Sequence, residues 1–211
     1  MRIPPFPVYI FDVDGTLVDS AVDICGAVDE ILTSHGVPRQ PFDFLRSYIG
    51  LHLDVLFEDL IPGITKESCA AMVAEYRKVY QARGHSGTRV YGGVTAMLAG
   101  LGGRKSTATT KGTPTTRIIL EQFGLITHFD HVQGTDGFPA KPEPDVIMKT
   151  IELFRVRPQD CLFIGDSAAD MEAGKRCGVK LCGVGYGYGN VAQMRRFEPD
   201  YWIDAPEQLL S

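Results

Sequence analysis

Two carboxylates, Asp12 and Asp14, stand two residues apart where the apolar run Val8 to Phe11 must end, and Gly15 and Thr16 follow at once. The run reads as a short buried strand. Alternate strand residues share a face, so the two carboxylates would point the same way if the strand continued. Gly15 predicts that it stops, with Asp14 already on the turn. Neighbouring anions repel, and a fold that keeps them together supplies a cation or shifts a proton. The pair therefore reads either as a metal-dependent site with one carboxylate available for chemistry, or as a strand end with a solvated acidic turn. The rest of the chain has to separate the two.

From Leu17 to about Gly84 the pattern is helical only. Asp19 or Ser20 can cap a first helix, with Ile24, Val28, Ile31 and Leu32 on one face and Gly36 at its end. Leu53, Leu56, Phe57 and Leu60 mark a second, and Thr65 can cap a third that carries Met72, Val73, Tyr76, Val79 and Tyr80. Beyond Arg89 strands alternate with helices. Lys105 to Lys111 reads as a weakly apolar strand with hydroxyls toward its end, and Thr113-Pro114 opens a helix that Gly124 closes. Phe129 to Val132 reads as a short strand, and a helix introduced by Lys141-Pro142 runs to about Phe154. Cys161 to Ile164 is a continuous apolar run ending in Gly165-Asp166-Ser167. A helix to Cys177-Gly178 follows, then strands at Val179 to Val184 and Tyr201 to Ile203. This alternation predicts an α/β fold, a Rossmann-like parallel sheet with helices on both faces. The core would comprise 1–16 and 85–211, with 17–84 an all-helical insertion after the first strand.

Composition narrows the partners. At 211 residues, 44% hydrophobic and 22% charged, the chain suits one large domain or a domain with a sizeable insertion. A net charge of -5 without a basic patch argues against nucleic acid, and an anionic substrate would need a local cationic pocket or a metal. No apolar run approaches the roughly 20 residues of a membrane span, and Met1 to Pro5 does not read as a signal peptide. The five cysteines show no CxxC spacing and several sit in apolar runs, which predicts buried free thiols in a reducing compartment. The expected location is cytoplasmic. Oligomeric state is left open.

In open parallel sheets, ligands bind beyond the carboxyl ends of the strands. Polar groups occupy four such positions: Asp12 with Asp14, Thr109 with Thr110, Lys141 before a helix, and Asp166 with Ser167 and Asp170. Together they suit phosphoryl transfer, in which a carboxylate attacks phosphorus and forms an aspartyl-phosphate. That attack joins two anions, so a divalent cation and fixed donors must neutralise charge. Asp12, Asp14 and Asp166 offer hard oxygen ligands that suit Mg²⁺. Lys141 would supply fixed positive charge and Thr109 a hydroxyl donor. Each also has a plainer reading: a solvated lysine, a strand residue bonded to backbone, and a helix cap at Asp166-Ser167. Gly185-Tyr186-Gly187-Tyr188-Gly189 lacks the spacing of a dinucleotide fingerprint and reads as a flexible loop near the site rim.

These residues resemble the haloacid dehalogenase-like superfamily, specifically its phosphatases. Asp12-Val13-Asp14-Gly15-Thr16-Leu17-Val18 is similar to the first family motif, Thr109-Thr110-Lys111 to the second, Lys141-Pro142 to the third and Gly165-Asp166-Ser167-Ala168-Ala169-Asp170 to the fourth. The resemblance implies Asp12 as the nucleophile and Asp14 as general acid, then base. It implies a metal held by Asp12, the backbone carbonyl of Asp14 and Asp166, with Asp170 in support, and phosphate contacts from Thr109, Thr110 and Lys141. The helical insertion would be a mobile cap. Phe11 to Ser20 and Arg46-Ser47-Tyr48-Ile49-Gly50-Leu51 look most like phosphoglycolate phosphatases, which implies Arg46, Gly50 and His52 as contacts to the non-phosphate part of the substrate. The expected partner is thus a small phosphorylated metabolite such as 2-phosphoglycolate. The chain departs from the family pattern at Arg104-Lys105-Ser106-Thr107, where relatives have an apolar strand, and at Thr110 and Gly92. Asp14 argues against a dehalogenase. A sugar-phosphate mutase, or a non-catalytic binding or regulatory module on the same fold, are the alternatives.

Overall fold

The first strand, β1 (Val8–Phe11), is buried along its whole length and has a parallel neighbour on each side. In this computed structural model, which describes residues 2–210, it pairs with β4 (Arg104–Thr107) and β5 (Cys161–Gly165). β6 (Lys180–Val184) and β7 (Tyr201–Ile203) extend the sheet to the order β4-β1-β5-β6-β7, parallel throughout. Val8 and Ile10 point to one face, where they join Phe163 and Leu181 in a cluster with α7 (Asp145–Phe154) and α8 (Ala168–Cys177). That is the alternation of a pleated strand applied to an all-apolar sequence.

β4 shows how a polar strand is accommodated. The Lys105 ammonium is buried and donates to the carbonyls of Leu101 and Gly103, at 2.6 and 3.0 Å, just past helix α5 (Val94–Gly100). Ser106 Oγ lies 3.0 Å from Thr150 Oγ1 on α7, and Thr107 Oγ1 both donates to and accepts from the Gln133 backbone at 2.9 Å. Every one of these buried polar groups has a partner, as burial demands. The strand expected at Phe129 to Val132 contracts to a single bridge between Ser106 and His131. Asp130 is the reason: its carboxylate takes the Lys105 N–H at 2.8 Å, and the Thr107 hydroxyl serves Gln133, so side chains replace the ladder.

The chain forms two compact units, one running to Asp19 and resuming at Arg89, the other Ser20–Thr88. The reading of helices only from Leu17 onward misses a two-residue strand. β2 (Val18–Asp19) pairs antiparallel with β3 (Arg89–Val90) inside the first unit.

In the second unit, α1 (Ala21–Ser34), α2 (Phe42–Arg46), α3 (Leu53–Leu60) and α4 (Lys66–Ala82) are the regular elements, without a strand among the described residues. α1 buries Ile24, Val28, Ile31 and Leu32, and α4 buries Cys69, Met72, Tyr76 and Tyr80, each at helical spacing. Thr65 caps α4 by accepting from the Ser68 N–H. Ser20 stands at the start of α1 without a side-chain cap bond, and Asp19 instead accepts from the Tyr188 hydroxyl. The buried Asp23 carboxylate accepts from Gly87 N at 2.9 Å and Thr88 Oγ1 at 2.7 Å, which joins the first turn of α1 to the end of the unit. All five cysteines are buried and unpaired.

Candidate active site

Strand register gathers the site. Phe11 lies level with Thr107 and Ile164, so the residues after these three emerge together at the carboxyl edge of the sheet. Asp12 N still donates to Ile164 O at 2.9 Å, and Ala108 N to Phe11 O at 2.7 Å. The chain then turns: Leu17 N and Val18 N both donate to Val13 O, and Gly15 takes φ +85°. Glycine is required there twice, for that left-handed backbone and because a Cβ would fall 2.2 Å from Asp166 Oδ2.

The carboxylates are held in different ways. Lys141, itself buried, donates to Asp12 Oδ1 at 2.7 Å, Asp170 Oδ1 at 2.5 Å and Ala108 O at 2.9 Å, which uses all three ammonium protons. Among the described residues, the second oxygen of Asp12 accepts no hydrogen bond. Asp166 accepts from Thr16 Oγ1 at 3.2 Å on Oδ1 and from Tyr188 N at 2.7 Å on Oδ2. Asp170 Oδ2 accepts from Ser167 N and Oγ in the capping box that starts α8. The Asp14 side chain meets Lys111 Nζ at 2.8 Å.

Burial sets the protonation behaviour. It pushes Asp12 well above the ordinary carboxylate range, opposed by Lys141 and reinforced by Asp170, Asp166 and Asp14. Asp166 is pushed up to about 7, by burial first and then by the charge of Asp170. Burial alone would favour neutral Lys141, but the charges of Asp12 and Asp170 outweigh it and raise its pKa.

Oxygens of Asp12, Asp166 and Asp170 lie within 4.8 Å of one another, all buried. Four carboxyl groups, counting Asp14, stand with only two ammonium groups, those of Lys111 and Lys141, so two carboxyls can ionise only if a further cation or a proton offsets them. An all-oxygen donor set with that imbalance fits a hard divalent cation. Asp170 is committed to the buried Lys141 ammonium and to two donors of Ser167, and Asp166 to two neutral donors, Thr16 Oγ1 and Tyr188 N; Asp166 therefore has no cationic partner of its own, and Asp12 bonds through one oxygen only.

The other residues expected from sequence are distributed unevenly. Thr109 is buried after β4, with its hydroxyl accepting from Lys111 N at 3.3 Å and its carbonyl from Thr135 Oγ1 at 2.9 Å; Thr110 beside it is half-buried. Arg46, Gly50 and His52 belong to the second unit: Arg46 ends α2, Gly50 takes φ +98°, and His52 precedes α3 with Nδ1 3.6 Å from Asp54. Sequence reasoning missed Lys111 as the partner of Asp14, although it named the residue. It read Gly185 to Gly189 as a flexible loop near the site rim, and the loop does stand at the site. That loop is not slack, because Tyr188 N is bonded to Asp166 and the Tyr186 hydroxyl donates to Thr16 O at 3.0 Å. The legible signal was the glycine spacing itself, which permits close approach to another chain segment.

Residues 9–184 match the family model of haloacid dehalogenase-like hydrolases. The chain belongs to that family and is a hydrolase of its class. Phosphoglycolate phosphatase 1 of Pseudomonas aeruginosa is 33% identical over 95% of this chain and 77% of its own length. A phosphoglycolate phosphatase of Aquifex aeolicus is 31% identical over 96% of this chain and 94% of its own. Among solved structures, a predicted phosphatase from Clostridium acetobutylicum superposes with TM-score 0.90 at 27% identity, covering 98% of this chain and 97% of that one.

Proposed function

We propose that the protein is a Mg²⁺-dependent phosphatase that hydrolyses a small phosphorylated metabolite through an aspartyl-phosphate on Asp12. Its class, a phosphoric monoester hydrolase, follows from the family and the relatives. The observation that carries the mechanism is the asymmetry of Asp12: one oxygen is fixed by Lys141 and the other accepts no bond among the described residues. A buried carboxylate held this way is oriented as a nucleophile.

The free oxygen would attack phosphorus as the ester P–O bond breaks, with Asp14 giving its proton to the departing alkoxide. Asp14 would then take a proton from water, whose oxygen attacks the phosphoryl group and restores Asp12. Asp12, the Asp14 carbonyl and Asp166 would hold Mg²⁺, which when bound neutralises charge between nucleophile and phosphate. Thr109 and Thr110 would contact the phosphate; Lys141 would do so by exchanging one of its three present acceptors. The Ser20–Thr88 unit would act as the cap, with Arg46, Gly50 and His52 reading the rest of the substrate.

The relatives make 2-phosphoglycolate the first substrate to test. Phosphate release from a panel of phosphomonoesters with Mg²⁺ is expected for wild type and lost by at least roughly 10³-fold in Asp12→Asn. Full activity in that variant would remove Asp12 from the nucleophile's role. Transfer within a sugar phosphate, without inorganic phosphate, would identify a mutase instead.

A further inference from the structure

Both oxygens of Asp166 are held from outside its own strand, and the two holders are tied to each other. Thr16, on the turn after β1, donates to Oδ1 through its hydroxyl at 3.2 Å. Tyr188 donates to Oδ2 through its main-chain N–H at 2.7 Å. The Tyr186 hydroxyl closes the circuit by donating to the Thr16 carbonyl at 3.0 Å. The Tyr188 hydroxyl fixes the loop a second time, on Asp19 Oδ1 at 2.7 Å in β2. The Tyr186 ring stands edge-on to Tyr91 with centroids 5.0 Å apart.

The loop's glycines permit this approach. A Cβ on Gly187 would fall 2.3 Å from Asp166 Cβ and Oδ2, and one on Gly189 would fall 1.8 Å from the Asp166 carbonyl oxygen. Neither residue adopts a positive φ, so glycine serves space here and not conformation. A loop with glycine at every second position has wide backbone freedom, and freedom of that kind would blur the Tyr188 N–H that aims at Asp166. The tyrosine hydroxyls, each with a defined acceptor, are what remove it.

We infer that Tyr186 and Tyr188 are positioning residues for the Asp166 carboxylate, and that their hydroxyl bonds to Thr16 and Asp19 set the divalent-cation affinity of the core. The inference rests on Asp166 being a metal ligand. Outer groups that orient ligands commonly change metal affinity by about 10–100-fold when removed. Phenylalanine keeps each ring and deletes only the hydroxyl.

The test is Mg²⁺ binding to the intact chain by calorimetry, with the metal-free melting temperature recorded for every variant. Tyr186→Phe and Tyr188→Phe should each weaken Mg²⁺ by about tenfold. Asp19→Ala should weaken Mg²⁺ in the same direction as Tyr188→Phe, and the double variant should lose less than the sum of the two, since the bond between them is removed in all three. Asp19→Asn, which keeps an acceptor oxygen, should recover most of the affinity. Asp166→Asn calibrates the site. If it binds Mg²⁺ like wild type, the metal reading fails and the inference with it. If it loses Mg²⁺ while Tyr186→Phe, Tyr188→Phe and Asp19→Ala all bind normally, the inference alone is overturned. Should Tyr188→Phe not fold, the Asp19→Ala and Asp19→Asn pair decides by the same criterion.

Discussion

Lys141 Nζ lies 2.7 Å from Asp12 Oδ1 and 2.5 Å from Asp170 Oδ1, so one buried ammonium separates two buried carboxylates. The arrangement couples stability to chemistry. Without the ammonium, the two anions face each other out of water, and Asp12 loses the contact that orients it. Lys141→Met is expected to cost about 3–5 kcal/mol at neutral pH, the usual penalty for orphaning a buried charge. The loss should shrink at pH 5, where the carboxylates can take up protons. Urea denaturation at pH 5 and pH 8 measures both. Equal stability of the variant and wild type at pH 8 would contradict this account of the pair.

How much of this was legible depends on how far apart the partners lie. The strand ends at Asp12 and Asp166 could be read locally, because apolar runs that stop at a carboxylate signal themselves. Their gathering followed from the rule that parallel strands end together. Side-chain pairings over long separations carry no such local signal: Lys141 reaches Asp12 across 129 positions and Tyr188 reaches Asp166 across 22. β4 was read as a strand, over Lys105 to Lys111 where it spans Arg104–Thr107, but the way its polar residues are buried was not legible. Its polar residues are satisfied by Leu101, Thr150 and Gln133, none of which a propensity argument can supply. The Phe129 to Val132 segment misled because Asp130 uses its side chain where a strand would use its backbone.

Asp23 offers a test confined to the second unit. Its carboxylate serves Gly87 N and Thr88 Oγ1, and Arg83 Nε stands 3.7 Å away. Asp23→Ala leaves those donors buried without an acceptor and should destabilise by about 2–3 kcal/mol. Asp23→Asn, which keeps one oxygen, should lose less. A change under about 0.5 kcal/mol in urea unfolding of Asp23→Ala would place the residue among ordinary surface positions.

The raised pKa of Asp166 makes the metal-free protein sensitive to alkali. An unfolded aspartate titrates near 3.9, while the folded one is pushed up to about 7 by burial, then Asp170. Asp12 is shifted in the same direction, also by burial first. Between those values folded Asp166 holds a proton that the unfolded chain has released, so its contribution is full below about pH 4 and drains away as pH rises through 7. A divalent cation reverses the preference by stabilising the charged carboxylates. In EDTA the melting temperature should fall from pH 5 to pH 8, and added Mg²⁺ should raise it more at pH 8. Asp166→Asn should flatten the slope in EDTA. A wild-type melting temperature that rises over this range in EDTA, with the same slope in Asp166→Asn, would rule the explanation out.

Gly15 and Gly36 separate backbone strain from close approach. Both have positive φ, +85° and +77°, but only Gly15 has a neighbour where a Cβ would stand, with Asp166 Oδ2 at 2.2 Å; Gly36 faces open space. Alanine at Gly36 should therefore lose only the left-handed penalty, about 1–2 kcal/mol. Alanine at Gly15 carries the same penalty and must also push the Asp166 carboxylate away from Thr16 Oγ1 and Tyr188 N. Its stability loss should exceed that of Gly36→Ala, and its Mg²⁺ affinity should fall where that of Gly36→Ala does not. Urea unfolding and Mg²⁺ calorimetry on the two variants give both readings. If Gly15→Ala binds Mg²⁺ as wild type does, the Asp166 carboxylate can move without consequence, and glycine at this turn answers to backbone conformation alone.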